Sequence, residues 1–154
     1  MDKIEVLKRS DLFRELDDEQ LEIIEKIGDS RVFELGMIVH KQGSIIDRIH
    51  VVEDGIVGII IEVGPMAQRQ VQVATNFESF GWSAMIPPYI ATATAKALEK
   101  TKTITFNGRE LFGVCTKHPD IGFKVLQTLA CVISGRLRQT YTQLLGVTDN
   151  DEEL

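Results

Sequence analysis

Phe80–Ala97 reads FGWSAMIPPYIATATAKA. Its first half is a glycine-led turn into about one turn of helix, stopped by Pro87-Pro88. Its second half alternates small and β-branched residues, as a strand does. A helix start facing a strand can cradle an anion. Yet no acid or arginine stands between Phe80 and Ala95, and the only charge in the stretch is Lys96. The chain's single tryptophan, Trp82, sits beside the glycine instead. The stretch has the shape of an anion cradle without the side chains that would charge it.

Around it lies a chain of 154 residues, long enough for one domain with one proper core. Hydrophobic residues make up 44% and charged residues 26%, an ordinary globular balance. No apolar run approaches the ~18–20 residues that cross a bilayer, and the N-terminus lacks a signal-peptide pattern. A cytoplasmic protein with no membrane partner is expected. The net charge of −6 and the acidic end TDNDEEL disfavour nonspecific nucleic-acid binding. Cys115 and Cys131 have no cysteine partners at metal-ligand spacing, so buried free thiols are expected.

Period and punctuation divide the chain into helices (3–28), strands (31–106), helices (107–146) and an acidic tail (147–154), all in one domain. Residues 3–12 predict a short amphipathic helix. Asp17 and Gln20 form a capping-box pattern for a second, with Gly28 as its C-cap. From Arg31 the period becomes two. Strands are expected at Val32-Phe33, Met37–His40, Ile49–Val52, Ile56–Ile61, Val71–Ala74, Ala91–Ala97 and Thr103–Phe106. Asp54-Gly55 signals a hairpin. Asn107 with Glu110 starts a helix, and His118-Pro119 opens a last one ending at Gly146. Along it Leu126, Ala130, Ile133, Leu137, Thr140 and Leu144 fall at spacings of four and three, an a/d seam.

The order of these elements resembles the cyclic-nucleotide-binding domain of the catabolite activator protein superfamily. The likeness rests on Lys41-Gln42-Gly43 after the second strand, Ile49-x-x-Val52-x-x-Gly55-x-Val57, Phe80-Gly81, Ala91–Ala97, and the paired helices ending in Leu144-Leu145-Gly146. It covers about residues 5–146. The resemblance implies a mainly β fold, an eight-stranded jelly-roll barrel with helices at both ends; no motif in the residues argues for an enzyme. The resemblance also implies that Phe80–Ala97 is a phosphate-binding cassette. Family transcription factors carry a DNA-reading helix-turn-helix after the long helix. Only eight residues follow Gly146 in this sequence, so DNA binding by that route is not expected.

In that family a glutamate after the glycine takes the ribose hydroxyl, and an arginine pairs with the cyclic phosphate. Carried over, those positions are Trp82 and Ala91 (Ile90 with the gap placed differently). What the match retains is Gly81, the helix-start N–H groups of Ser83 and Ala84, Thr92, and Ala93 beside it. Lys96 falls on the opposite strand face from Ala91. Arg69 and Tyr89 are candidates to reach over the mouth. Trp82 fills the vacated ribose space, packs under the short helix, or offers a stacking face to a flat, uncharged or weakly anionic ligand.

Other chemistries find no support. Two distant cysteines cannot hold an iron–sulfur cluster. His40 and His50 lack metal-ligand clustering, and structural roles are expected for His50 and His118. No G-x-S-x-G elbow is present. No cofactor is expected. The reading is a stand-alone sensor or regulatory module that binds a non-standard small ligand or an unidentified protein partner and forms a homodimer through its last helix. Two alternatives are a cyclic-nucleotide receptor with relaxed recognition and a ligand-free scaffold plugged by Trp82.

Overall fold

The computed structural model describes residues 1–146; the expected acidic tail lies outside the described residues. The N-terminal helices are set by their caps. The Asp2 carboxylate accepts from the Glu5 N–H at the start of α1 (Lys3–Arg9), which is shorter than the expected 3–12. Asp17 and Gln20 close a reciprocal capping box on α2 (Asp18–Glu25). Lys26, not Gly28, is the C-cap of α2. Gly28 is small for another reason: a Cβ there would press on Ile104 and Phe106 at 3.0 Å.

Eight strands follow, in two four-stranded antiparallel sheets. One has the order β1 (Asp29–Phe33), β8 (Thr101–Asn107), β3 (Arg48–Asp54), β6 (Ser79–Phe80). The other has the order β2 (Ile38–His40), β7 (Thr94–Ala97), β4 (Val57–Gly64), β5 (Ala67–Ala74). Strand β6 is two residues long and shows no period in the sequence. The expected strand at Ala91–Ala97 begins only at Thr94.

Asp54-Gly55 is not a hairpin. β3 and β4 belong to different sheets, so the chain crosses between them there. Gly55 has φ 135°, and a Cβ would run into Thr101. Its N–H donates to the Asn76 side chain at 2.9 Å. The true hairpin is β4–β5, turning at Gly64–Ala67.

Alternation along β3 divides the interior. Ile49 and Val51 face the helices, in a core shared with Leu7, Phe13, Leu21, Phe106, Leu111 and Val125. Val52 faces the space between the sheets, with Val57, Ala74, Phe80 and Ala95. Helix α3 (Gly108–Lys117) is capped by Asn107, whose side chain accepts from the Arg109 and Glu110 N–H groups. Helix α4 (Pro119–Leu145) has proline in its first turn and ends at left-handed Gly146. Its first half packs on the N-terminal helices, where Thr128 Oγ1 donates to the Leu12 carbonyl at 2.7 Å. Its second half crosses β5, where Gln72 Nε2 donates to the Arg136 carbonyl at 2.9 Å. Cys115 is buried and Cys131 exposed, so only one of the two thiols is internal as expected.

Candidate functional site

The cassette is built from a turn that only glycine fits. Gly81 is left-handed, with φ 82°, and a Cβ would stand 2.9 Å from the Arg48 carbonyl. The turn leads into a 3-10 helix, Trp82–Met85, whose Ala84 N–H donates to the Gly81 carbonyl. The Lys41-Gln42-Gly43 turn closes the opposite side. The Gly43 N–H donates to the Ala91 carbonyl and the Ala91 N–H to the Ser44 carbonyl, both at 2.8 Å. The Gln42 N–H donates to Thr94 Oγ1, and the Gln42 side chain grips the backbone of Glu62 on β4. Below the cassette α3 approaches closely: a Cβ at Gly108 would collide with the Ala84 carbonyl.

Between these parts lies a cavity of about 60 Å³. Six of the seven residues expected at the site line it: Gly81, Trp82, Ser83, Ala91, Thr92 and Ala93. Ala84 does not. It is buried beside Ile46 and Ala91. Lys96 and Arg69 do not line it. Tyr89 lies away from it, with Arg109 5.1 Å over its ring, in a separate cleft beside α3.

Trp82 is held in place. Its indole N–H donates to Ser79 Oγ at 3.0 Å, and its ring packs on the helical core. Ser79 is fully buried, and its N–H is shared by both carboxylate oxygens of Asp11 at 3.1 Å. Burial pushes the Asp11 carboxyl above its usual range, opposed by the Ser79 bonds and by Arg136.

Sequence reasoning missed Arg136. It reaches the cavity from α4, and its guanidinium lies 5.1 Å over the Trp82 ring. Its side chain is 11% exposed. Three long contacts hold it: Glu78 at 3.6 Å, the Gln72 side chain at 3.3 Å and the Ser79 carbonyl at 3.5 Å. Among the described residues it is the one arginine or lysine lining the cavity. Its only signal in the sequence was a charge amid the apolar positions of the last helix.

Adjoining the cavity, and sharing Trp82 and Arg136 with it, is a groove of about 270 Å³ between β4, β5 and α4, lined also by Ile61, Ile133, Leu137 and Thr140. The expected seam therefore divides. Ile133 packs on the chain's own core, and Thr140 meets Gln72 on β5. Leu126, Ala130, Leu137 and Leu144 are exposed. Among the described residues no group of His, Cys, Asp and Glu could hold a metal ion. Nor, among those residues, is any helix long and apolar enough to cross a membrane.

No family model matches the sequence, and no curated protein sequence matches it. Solved structures do. A Geobacter metallireducens protein described as cyclic nucleotide-binding is 25% identical, with TM-score 0.76, covering 89% of this chain and 99% of its own. A cyclic nucleotide-binding domain from Methylobacillus flagellatus superposes with TM-score 0.82 at 19% identity, covering 94% of this chain and 82% of its own. The catabolite activator protein of Thermus thermophilus matches with TM-score 0.75 at 21% identity, over 88% of this chain and 62% of its own. With its two sheets, its glycine-led 3-10 turn and its long final helix, the chain has the fold of a cyclic nucleotide-binding domain of the catabolite activator protein type.

Proposed function

We propose that the chain is a non-catalytic regulatory module of the cyclic-nucleotide-binding-domain type, its two sheets the halves of a jelly roll. In this reading its cassette takes a flat, weakly anionic ligand between Trp82 and Arg136, not a cyclic nucleotide. The observation that carries the proposal is Arg136. The position that resembles the family's arginine is Ala91, which is 3% exposed and offers no charge. The cation comes from α4 instead, so whatever engages it also engages the helix that leaves the domain core. The residue at the glutamate position, Trp82, supplies a π face and no acceptor.

The cavity of about 60 Å³ is far below the ~300–1,000 Å³ of ordinary ligand pockets. A ligand of this kind has to displace the Trp82 ring toward the adjoining groove. The same small volume favours the second reading, a scaffold in which Trp82 is a permanent plug. One experiment separates them. Trp82 is the sole tryptophan, so its emission reports the cassette alone. On the ligand reading, titration with flat carboxylates such as benzoate or nicotinate shifts the emission, and Arg136→Gln abolishes the shift. Emission that no carboxylate changes contradicts the ligand reading and leaves the scaffold.

A further inference from the structure

We infer that a second cavity, on the other side of His50 from the cassette, binds the phosphate or carboxylate group of a small molecule. This cavity of about 270 Å³ opens at the end of the space between the sheets. Arg31 of β1, Arg48 and His50 of β3, and His40 of β2 line it, with Ser44 and Asp47 of the connecting loop. The lining thus carries two arginines from neighbouring parts of one sheet against one carboxylate. Arg48 is partly engaged: it donates to Thr105 Oγ1 at 3.1 Å and lies 3.6 Å from Asp29. Arg31 is exposed.

His50 is the second observation. It is 3% exposed, and among the described residues its Nδ1 has no hydrogen-bond partner. Its ring is stacked on Phe80 at 4.7 Å and meets Phe33 edge-on at 5.8 Å. The Cδ2 edge faces Gly81, 3.5 Å from where a Cβ would stand. Cδ2 and Nδ1 flank the ring's attachment carbon on opposite sides, so the Nδ1 edge is turned away from Gly81, and the ring lines the second cavity. Buried polar atoms ordinarily have partners, and an apolar side chain would fill this core position without leaving one orphaned. Burial keeps the imidazole neutral, able to donate one N–H. An oxyanion between Arg31 and Arg48 would accept that N–H while pairing with the guanidinium groups.

The three histidines make the test direct. Side-chain nitrogen resonances of His40, His50 and His118 are followed by NMR while inorganic phosphate, and separately acetate, is added. The expected result is a saturable shift of His50 and His40 by one of the two, with His118 unmoved, the tighter anion naming the group. Arg31→Gln, an exposed change that leaves the fold intact, should weaken binding about tenfold. Arg136→Gln should leave it unchanged, which separates this site from the cassette. No shift of His50 with either anion, or a shift indifferent to Arg31→Gln or abolished by Arg136→Gln, overturns the inference.

Discussion

His50 is packed where a charge would be most costly. Phe80 stacks on it from β6, Phe33 meets its edge from β1, and His40, Arg31 and Arg48 lie near enough to oppose protonation. Burial, with those neighbours, lowers its pKa from 6.5 to about 3. The unfolded chain therefore takes up a proton below pH 6.5 that the folded chain refuses down to about pH 3. Stability is full above pH 6.5 and falls as pH drops through that window, by about 1.4 kcal/mol per pH unit. His50→Leu should remove that part of the slope and leave the smaller part from His40, whose pKa burial also lowers. Urea unfolding at a series of pH values checks it; parallel profiles for the two proteins would show that His50 does not carry the acid sensitivity. The sequence showed His50 only as a residue in a strand. Its partners come from three other strands, and one of them, Phe80, lies on a strand of two residues. Arg136 was hidden in the same way. It is fifty-four positions from Trp82, and only the path of α4 over β5 joins them.

Helix α4 does two jobs along its 27 residues. Ile121, Val125 and Leu129 are buried in the helical core, while Ile133, Arg136 and Thr140 meet the sheet side. What remains is an outer face with Phe123, Leu126, Tyr141 and Leu144 exposed. Beside it runs a shallow groove at Ala130, Cys131, Ser134 and Gly135, where small residues would let a second helix approach closely. We propose that a second copy covers this face. The heptad arithmetic found the helix and its ends but not this division, because a periodic pattern cannot say which of two apolar flanks belongs to the chain's own sheet. Ile133 is therefore unsuited to an interface test. Leu126→Asp with Leu144→Asp changes only exposed positions and should turn a dimer into a folded monomer by light scattering. An unaltered protein that is monomeric at high concentration rules the dimer out. Elsewhere caps were legible because they are local: Asp17 with Gln20, and Asn107, cap as their spacing implied. Asp54-Gly55 misled because a turn and a crossing between sheets use the same glycine chemistry, and only the partner strands distinguish them.

At the scale of the molecule, two sheets enclose a small apolar centre, and helices cover the outer face of one of them. The cassette cavity is lined from both sheets and from α4, so a ligand there touches the sheets and the last helix together. The ordered glycine turns carried enough of this arrangement to make the fold legible, because left-handed or crowded backbone leaves few substitutes. The site was legible as a place but not as chemistry, since its cation arrives from another element. On the proposed reading this cassette does not take a cyclic nucleotide. Losing a buried arginine partner costs roughly 2–5 kcal/mol, and each ~1.4 kcal/mol is about tenfold in affinity. Loss of the arginine alone therefore weakens a one-micromolar site to somewhere between roughly tens of micromolar and a few millimolar, and loss of the ribose contact weakens it further. The most direct measurement is isothermal titration of cyclic AMP and cyclic GMP into the unaltered protein. Neither nucleotide is expected to bind with a dissociation constant near one micromolar. A dissociation constant near one micromolar (about −8 kcal/mol) would contradict that reading.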